Sequence, residues 1–374
     1  MKIITMQENL KRGLAIVLHA IAGKSTLPVL AHVLLTSDGN RLKLSATNLE
    51  VGITHWMGAT VQEEGAITIP ARLLADVIGG LPNDQVTLTL DPRTQTLKVA
   101  CGRFTSNIKG MEAEEFPGIP APQGNPDLRL PASLLTAGIA QTAFAAAGDD
   151  SRPVLAGVYL QATGRTLMLA AADGFRMAYR TITLPEPVET RCAVIVPARA
   201  LEMVGKVFAA TEGGIDVTVL ASQIAFESAE TCVVSRLIDG KFPDVARIIP
   251  TLYSTRTVVD VAALRKAVKL ASYFASASQH TLKLTMQAGG ELGPGQLTLT
   301  ANAAEIGDNT GSVEGVIHGE GGQIALNAKY LAEFLESLDT PQVAIETQSA
   351  LTPAIFKPVG QEGSVHVIMP MSLR

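Results

Sequence analysis

Apolar positions along the chain follow two periods that take turns. The opening segment MQENLKRGLAIVLHAIA sets Leu10, Leu14, Ile16, Val17 and Ile21 mostly at helical spacing and predicts a helix with one apolar face. IPARLLADVIGGL does the same, with Leu73, Leu74, Val77, Ile78 and Leu81 on its face. Elsewhere the period shortens to two. VTLTLDPRTQTLKVA alternates valine, leucine and threonine around a turn and predicts a pair of short strands.

Compared with itself, the chain runs through this order three times. A first helix opens each copy, and the aligned Leu10, Leu135 and Leu264 are 125 and 129 residues apart. A strand then ends in an Asn or Asp turn at Asn48, Asp173 and Asn302, spaced again by 125 and 129. A second helix follows, with Ala71, Ala198 and Ala328 separated by 127 and 130, and a strand pair closes the copy. Glu115-Phe116-Pro117 and Lys241-Phe242-Pro243 end the first two copies, and each leads into a proline-containing linker. The pattern predicts an α+β fold of three similar domains, over 1–122, 126–252 and 256–374, with two helices on one face of antiparallel sheets.

Both helices of a copy turn their apolar stripe toward sheet, so their outer faces share a surface. Lys11, Arg12, Arg72, Arg199, Lys206, Arg265, Lys266, Lys269 and Lys329 fall there, against Glu8, Asp76, Glu202, Asp260, Glu333 and Glu336. Nine cations less six anions give that surface +3, while the whole chain carries -5. Positive charge is segregated onto the helices of an otherwise acidic protein. That argues against a surface gripping nucleic acid all over, and leaves room for one basic face.

Composition narrows the classes further. Of 374 residues, 47% are hydrophobic and 17% charged, which excludes a disordered chain, and no apolar run reaches the roughly 18 residues of a membrane span. The start MKIITMQENL turns polar before a signal-peptide core could form, and Cys101, Cys192 and Cys232 make no paired framework, so a reducing cytoplasm is expected. The six histidines are dispersed, and neither a metal nor a cofactor is expected. No serine sits in a Gly-x-Ser-x-Gly elbow. The loop AGKSTLP holds Gly23-Lys24-Ser25-Thr26, four letters of a phosphate-binding loop. Such a loop needs a first glycine where this chain has Leu18, and needs strand before and helix after, the reverse of the order here.

KSTLPVLAHVLL, IPARLLADVIGGLP, AADGFRMA, DGKFPDVARIIP, LNAKYLAEFLESL and the terminal VIMPMSLR occur in an order and spacing that resemble the β-subunit family of bacterial DNA polymerase III, the replicative sliding clamps. The resemblance covers essentially the whole chain. It implies three tandem clamp domains per chain with sheets outside and helices inside, and a half ring that closes head to tail with a second copy around duplex DNA. It implies no catalysis, but processivity for the polymerase. Channel contacts to DNA would come from Lys24, Arg72, Arg199, Lys206, Arg265, Lys266 and Lys269. Phe104, Tyr273 and Phe274 would meet at the homodimer interface.

The family also docks partners in a peptide pocket: the polymerase α subunit, the clamp-loader δ subunit, other polymerases and mismatch-repair proteins. Carried onto this chain, its wall from the second copy comprises Leu155, Gly174, Phe175, Arg176, Met177, Pro243, Arg247 and Ile248. The third copy supplies Asn327, Tyr330, Ala350, Thr352, Val367, Met369, Pro370 and Met371. Methionines and a mostly apolar lining suit exchange among partners. Phe175 stands where many members carry histidine, and Asp149, Asp150 and Pro153 replace residues that touch DNA in relatives. Two alternatives stand beside this reading. One is an additional clamp copy with an altered pocket, serving a special polymerase or resisting an inhibitor; the other is an enzyme that reuses the fold or binds nucleotide at residues 22–28.

Overall fold

A computed structural model describes the chain except residues 24–26, 123, 150, 248, 290–293 and 373–374. Among the described residues there are six α-helices: α1 Gln7–Val17, α2 Ala71–Gly80, α3 Ala132–Ala140, α4 Ala198–Val207, α5 Val261–Ala275 and α6 Ala328–Glu336. α1 buries Leu10, Leu14 and Val17 of the stripe read from the pattern, with Gly13 beside them, while Ile16 is half-buried and Ile21 lies beyond the helix. A Cβ at Gly13 would come within 2.9 Å of Leu44 Cδ1, so a larger residue there would make the core side chains shift. The helix stops at Val17 and passes into a 3-10 turn, Leu18–Ala20, short of the predicted end. α2 departs from expectation at one position. Leu74 and Ile78 are fully buried, but Leu73 is 49% exposed, since it lies about 100° around the helix from Leu74 and faces out beside Arg72.

The chain divides into two compact units, whose boundary does not follow the repeats. One comprises Met1–Ser133 with Met203–Leu237. It holds a five-stranded sheet in the order Thr60–Glu63, Lys2–Met6, Gln85–Asp91, Thr96–Cys101, Phe104–Lys109. Its eight-stranded sheet runs Leu128–Pro131, Gly214–Val219, Gln223–Glu227, Thr231–Arg236, Val51–Gly58, Arg41–Thr47, His32–Asp38, Ala66–Pro70. α1 packs on α2 and on the strands Arg41–Thr47 and Val51–Gly58. Ile3, Leu10, Leu44, Ile53, Ile67, Leu74 and Ile78 are fully buried in this unit, each contributing roughly 1.5–3 kcal/mol.

The other unit comprises Leu134–Glu202 with Ile238–Arg374. A ten-stranded sheet crosses it in the order Gly157–Ala172, Arg176–Pro197, Ser364–Ile368, Ala354–Pro358, Gln342–Thr347, Thr255–Asp260, Gly307–Gly319, Gly295–Ala303, Thr281–Gln287, Gly322–Asn327. α5 packs on α6 and on the strands Gly295–Ala303 and Gly307–Gly319. Leu264, Val268, Leu331, Phe334, Leu335 and Phe356 join one core there. Side chains cap both helices: Asp260 accepts from Ala263 N at 2.8 Å, and Asn327 accepts from Lys329 N at 2.9 Å and Tyr330 N at 3.3 Å.

The third landmark turn differs from the first two. Asn302 lies within the strand Gly295–Ala303, paired with Asp308, and the chain reverses later, at residues 304–306.

Candidate functional site

The turn at Asp173 organises the best-defined polar cluster. Asp173 Oδ1 accepts from Phe175 N at 2.8 Å and Arg176 N at 2.9 Å, closing a tight Asx turn. Gly174 has φ +94 and sits under Arg152, whose Nη1 would be 2.7 Å from any Cβ, so only glycine fits both the backbone and the space. Arg152 Nη2 in turn donates to Asp173 O at 2.7 Å.

Arg176 follows the turn and is 8% exposed. Its Nε donates to Asp173 Oδ2 at 3.0 Å, Nη1 pairs with Glu333 Oε2 on α6, and Nη2 donates to Phe144 O at 2.6 Å. The guanidinium carbon lies 4.3 Å from the Tyr330 ring centre, close enough for a cation–π contact. A buried cation thus has two carboxylates, a carbonyl and an aromatic face. Burial raises the Tyr330 phenol above its usual pKa, and the Asp173 carboxylate adds to the effect. His366 lies nearby, stacked on Phe334 with centroids 4.6 Å apart and planes 4° from parallel. Burial lowers its pKa to about 3, and the Arg176 cation pushes the same way.

Three strand ends converge beside this cluster. Arg176 pairs with Ile368, and Ile368 pairs with Ala354, so Phe175, Met369 and the loop 349–353 leave the sheet at one edge. Met369 N donates to Phe175 O at 2.8 Å, and Met371 N to Ala325 O at 2.8 Å, which lays the tail along the sheet end instead of continuing the strand. Phe175 is 61% exposed, Met369 43% and Leu351 85%. This is an apolar rim with a buried charged hub behind it.

The sequence-derived pocket residues take unequal places. Leu155, Met177 and Val367 share a small core with Phe242 and Val245; Met177 and Val367 are buried and support the rim from beneath. The Asn327 side-chain oxygen is occupied in capping α6. Ala350, Thr352, Pro370 and Met371 are half-buried, while Pro243 and Arg247 are exposed, Arg247 pairing with Asp244 at 3.2 Å. Ile248 lies outside the described residues.

The basic helix residues are exposed. Arg72, Arg199, Lys206, Lys266 and Lys269 have no ion-pair partner among the described residues. Arg265 is tied down, with Nη2 donating to Leu335 O at 2.6 Å at the end of α6. Lys24 and Asp150 lie outside the described residues. Phe104 and Tyr273 are 58% and 62% exposed, whereas Phe274 is half-buried against the core around Leu264.

Comparison with known proteins accounts for this layout. Models of the N-terminal, central and C-terminal domains of the DNA polymerase III beta subunit match residues 1–120, 129–244 and 246–372 in order. The beta sliding clamp of Synechocystis is 33% identical over 398 residues, covering all of both chains. The chain belongs to the DNA polymerase III β-subunit family. The fold of this clamp matches that of the DNA polymerase sliding clamp from Bacillus subtilis with a TM-score of 0.92 at 23% identity, covering all of both chains. A sliding clamp from Pseudomonas aeruginosa bound to griselimycin matches with a TM-score of 0.90 at 29% identity over the same full coverage.

The family resemblance put Arg176 and Tyr330 in one pocket of this chain but did not give Phe144, Asp173 and Glu333 as partners of Arg176, nor Arg152 as the side chain that braces the Asp173 turn. Asp173 carried a signal, as a landmark of the internal repeat. Glu333 lies 157 residues from Arg176, so no local pattern could pair them. Among the described residues, no group of three or more His, Cys, Asp or Glu is placed to hold a metal, and no helix is long and apolar enough to cross a membrane.

Proposed function

We propose that this chain acts as a sliding clamp, a homodimeric ring around duplex DNA that makes a replicative polymerase processive without itself catalysing a reaction. The full-length match to three β-subunit domains in order carries this reading. On it, the clamp domains span 1–122, 126–252 and 256–374, and Phe104, Tyr273 and Phe274 meet across a head-to-tail interface. Lys24, Arg72, Arg199, Lys206, Arg265, Lys266 and Lys269 face the DNA. Sparse cations suit that task, since phosphate contacts carry no sequence information and dense ones would slow sliding. The rim of Phe175 and Met369, backed by the Arg176 hub, takes the docking peptides of the polymerase α subunit, the loader δ subunit and repair proteins. Such a clamp works in the cytoplasm, on the nucleoid. No observation favours a specialised extra copy or an enzyme.

Processivity tests the proposal. With a clamp loader, a β-dependent polymerase and a primed circular template under single-hit conditions, the chain is expected to lengthen products at least tenfold. Products of unchanged length would refute it.

A further inference from the structure

The turn behind the partner rim occurs a second time. Asn48 Oδ1 accepts from Glu50 N at 3.0 Å and Val51 N at 2.8 Å, matching Asp173 with Phe175 and Arg176 bond for bond. The strand leaving each turn pairs in the same register with a strand of the next repeat. Gly52 opposes Val234 and Val51 opposes Ser235, as Met177 opposes Val367 and Arg176 opposes Ile368. Arg236 N donates to Glu50 O at 2.9 Å, the counterpart of Met369 N to Phe175 O. Leu49, Glu50, Gly52, Val234 and Arg236 therefore stand where Gly174, Phe175, Met177, Val367 and Met369 stand.

A cavity of about 260 Å³ opens at this first position, walled by Leu49, Val51, Ile119 and Val234 with Glu50 and Arg236 at its lip. Its size lies just below the range of roughly 300–1,000 Å³ of small-ligand sites and suits a short segment. Ile119, from the linker, forms the floor: a Cβ on Gly52 would lie 2.8 Å from its Cγ2, so the linker side chain occupies the room that Met177 fills in the other copy. Leu49 is 44% exposed at φ 75, where the second repeat has glycine. An apolar side chain is thus presented to solvent from a backbone conformation that disfavours it. The charged ends of Glu50 and Arg236 are exposed with no ion pair among the described residues.

We infer that this groove is a second docking site for an extended peptide, whose apolar side chain packs on Leu49, Ile119 and Val234 and whose adjacent carboxylate pairs with Arg236. The occupant is argued from the equivalence with the partner rim, so the inference rests on that rim being a peptide site. Glu50 and Arg236 in place of Phe175 and Met369 make the second groove the more polar and the weaker of the two. Glu50 also disfavours a second acidic residue in the peptide.

The probe is a fluorescein-labelled Gln-Leu-Asp-Leu-Phe peptide with benzoylphenylalanine as its last residue. It is titrated against the full chain, irradiated, and the crosslinks mapped by mass spectrometry. Two saturable sites per chain are expected. The weaker crosslinks to 47–52 or 117–120 and loses at least tenfold in affinity in both Leu49→Asp and Arg236→Glu, two exposed positions. Met369→Asp abolishes only the stronger. A single site confined to 174–177 and 367–371, unmoved by Leu49→Asp and Arg236→Glu, overturns the second groove and leaves the partner rim standing. Binding that ignores Met369→Asp and leaves no crosslink at 174–177 or 367–371 overturns the rim reading, and the inference with it.

Discussion

Arg176 shows how one side chain can hold the proposed docking rim in place. Its charge is almost fully removed from water, and it is tolerated because Asp173, Glu333, the Phe144 carbonyl and the Tyr330 ring surround it. Arg176→Met leaves those carboxylates facing an uncharged side chain, and a loss of about 3 kcal/mol is expected by urea denaturation, together with loss of peptide binding at the rim. His366 makes a separate prediction. Its folded pKa of about 3 lies below the ordinary 6.5, so between those values the unfolded chain binds a proton that the folded chain does not. Stability therefore falls as pH drops below 6.5, by roughly 2 kcal/mol at pH 5 relative to pH 7. His366→Phe keeps the stacking on Phe334 and should flatten the slope of stability against pH over that interval. An unchanged slope would place the acid sensitivity elsewhere.

Among the elements, α6 links packing to the rim. Asn327 caps it with two accepted hydrogen bonds, and the helix carries Tyr330 and Glu333 to Arg176. Asn327→Ala should cost about 1 kcal/mol in urea denaturation and weaken rim binding more than an exposed substitution such as Lys329→Ala. The helices and their buried stripes were legible because the core imposes a period that one sequence displays. Leu73 was misplaced because a leucine beside two buried neighbours fits the stripe by type, while its angle around the helix turns it outward. The turns at Asn48 and Asp173 could be read from letters alone, since the side-chain acceptor is local. The third copy kept Asn302 without the turn. The rim residues Phe175 and Met369, like Arg176 and Tyr330 behind them, came from a family likeness, whereas the other partners of Arg176 did not, because Phe144 and Glu333 reach it from other parts of the chain.

For the whole molecule, charge and exposed aromatics are the informative features. Phe104 and Tyr273 are both exposed, and on the proposed reading they meet across the head-to-tail dimer interface. Tyr273→Asp should shift the protein from dimer to monomer in sedimentation at micromolar concentration, without changing the melting of the separate chain. The cations of α2, α4 and α5 that have no ion-pair partner among the described residues predict loose, salt-sensitive contact with phosphate, in which topology instead of affinity retains the ring. Retention on circular DNA tests that claim most directly. After loading onto nicked circles, the protein should remain bound through gel filtration at high salt and be released when a single restriction cut makes the circle linear. Release from intact circles at high salt, or retention after linearisation, would contradict it.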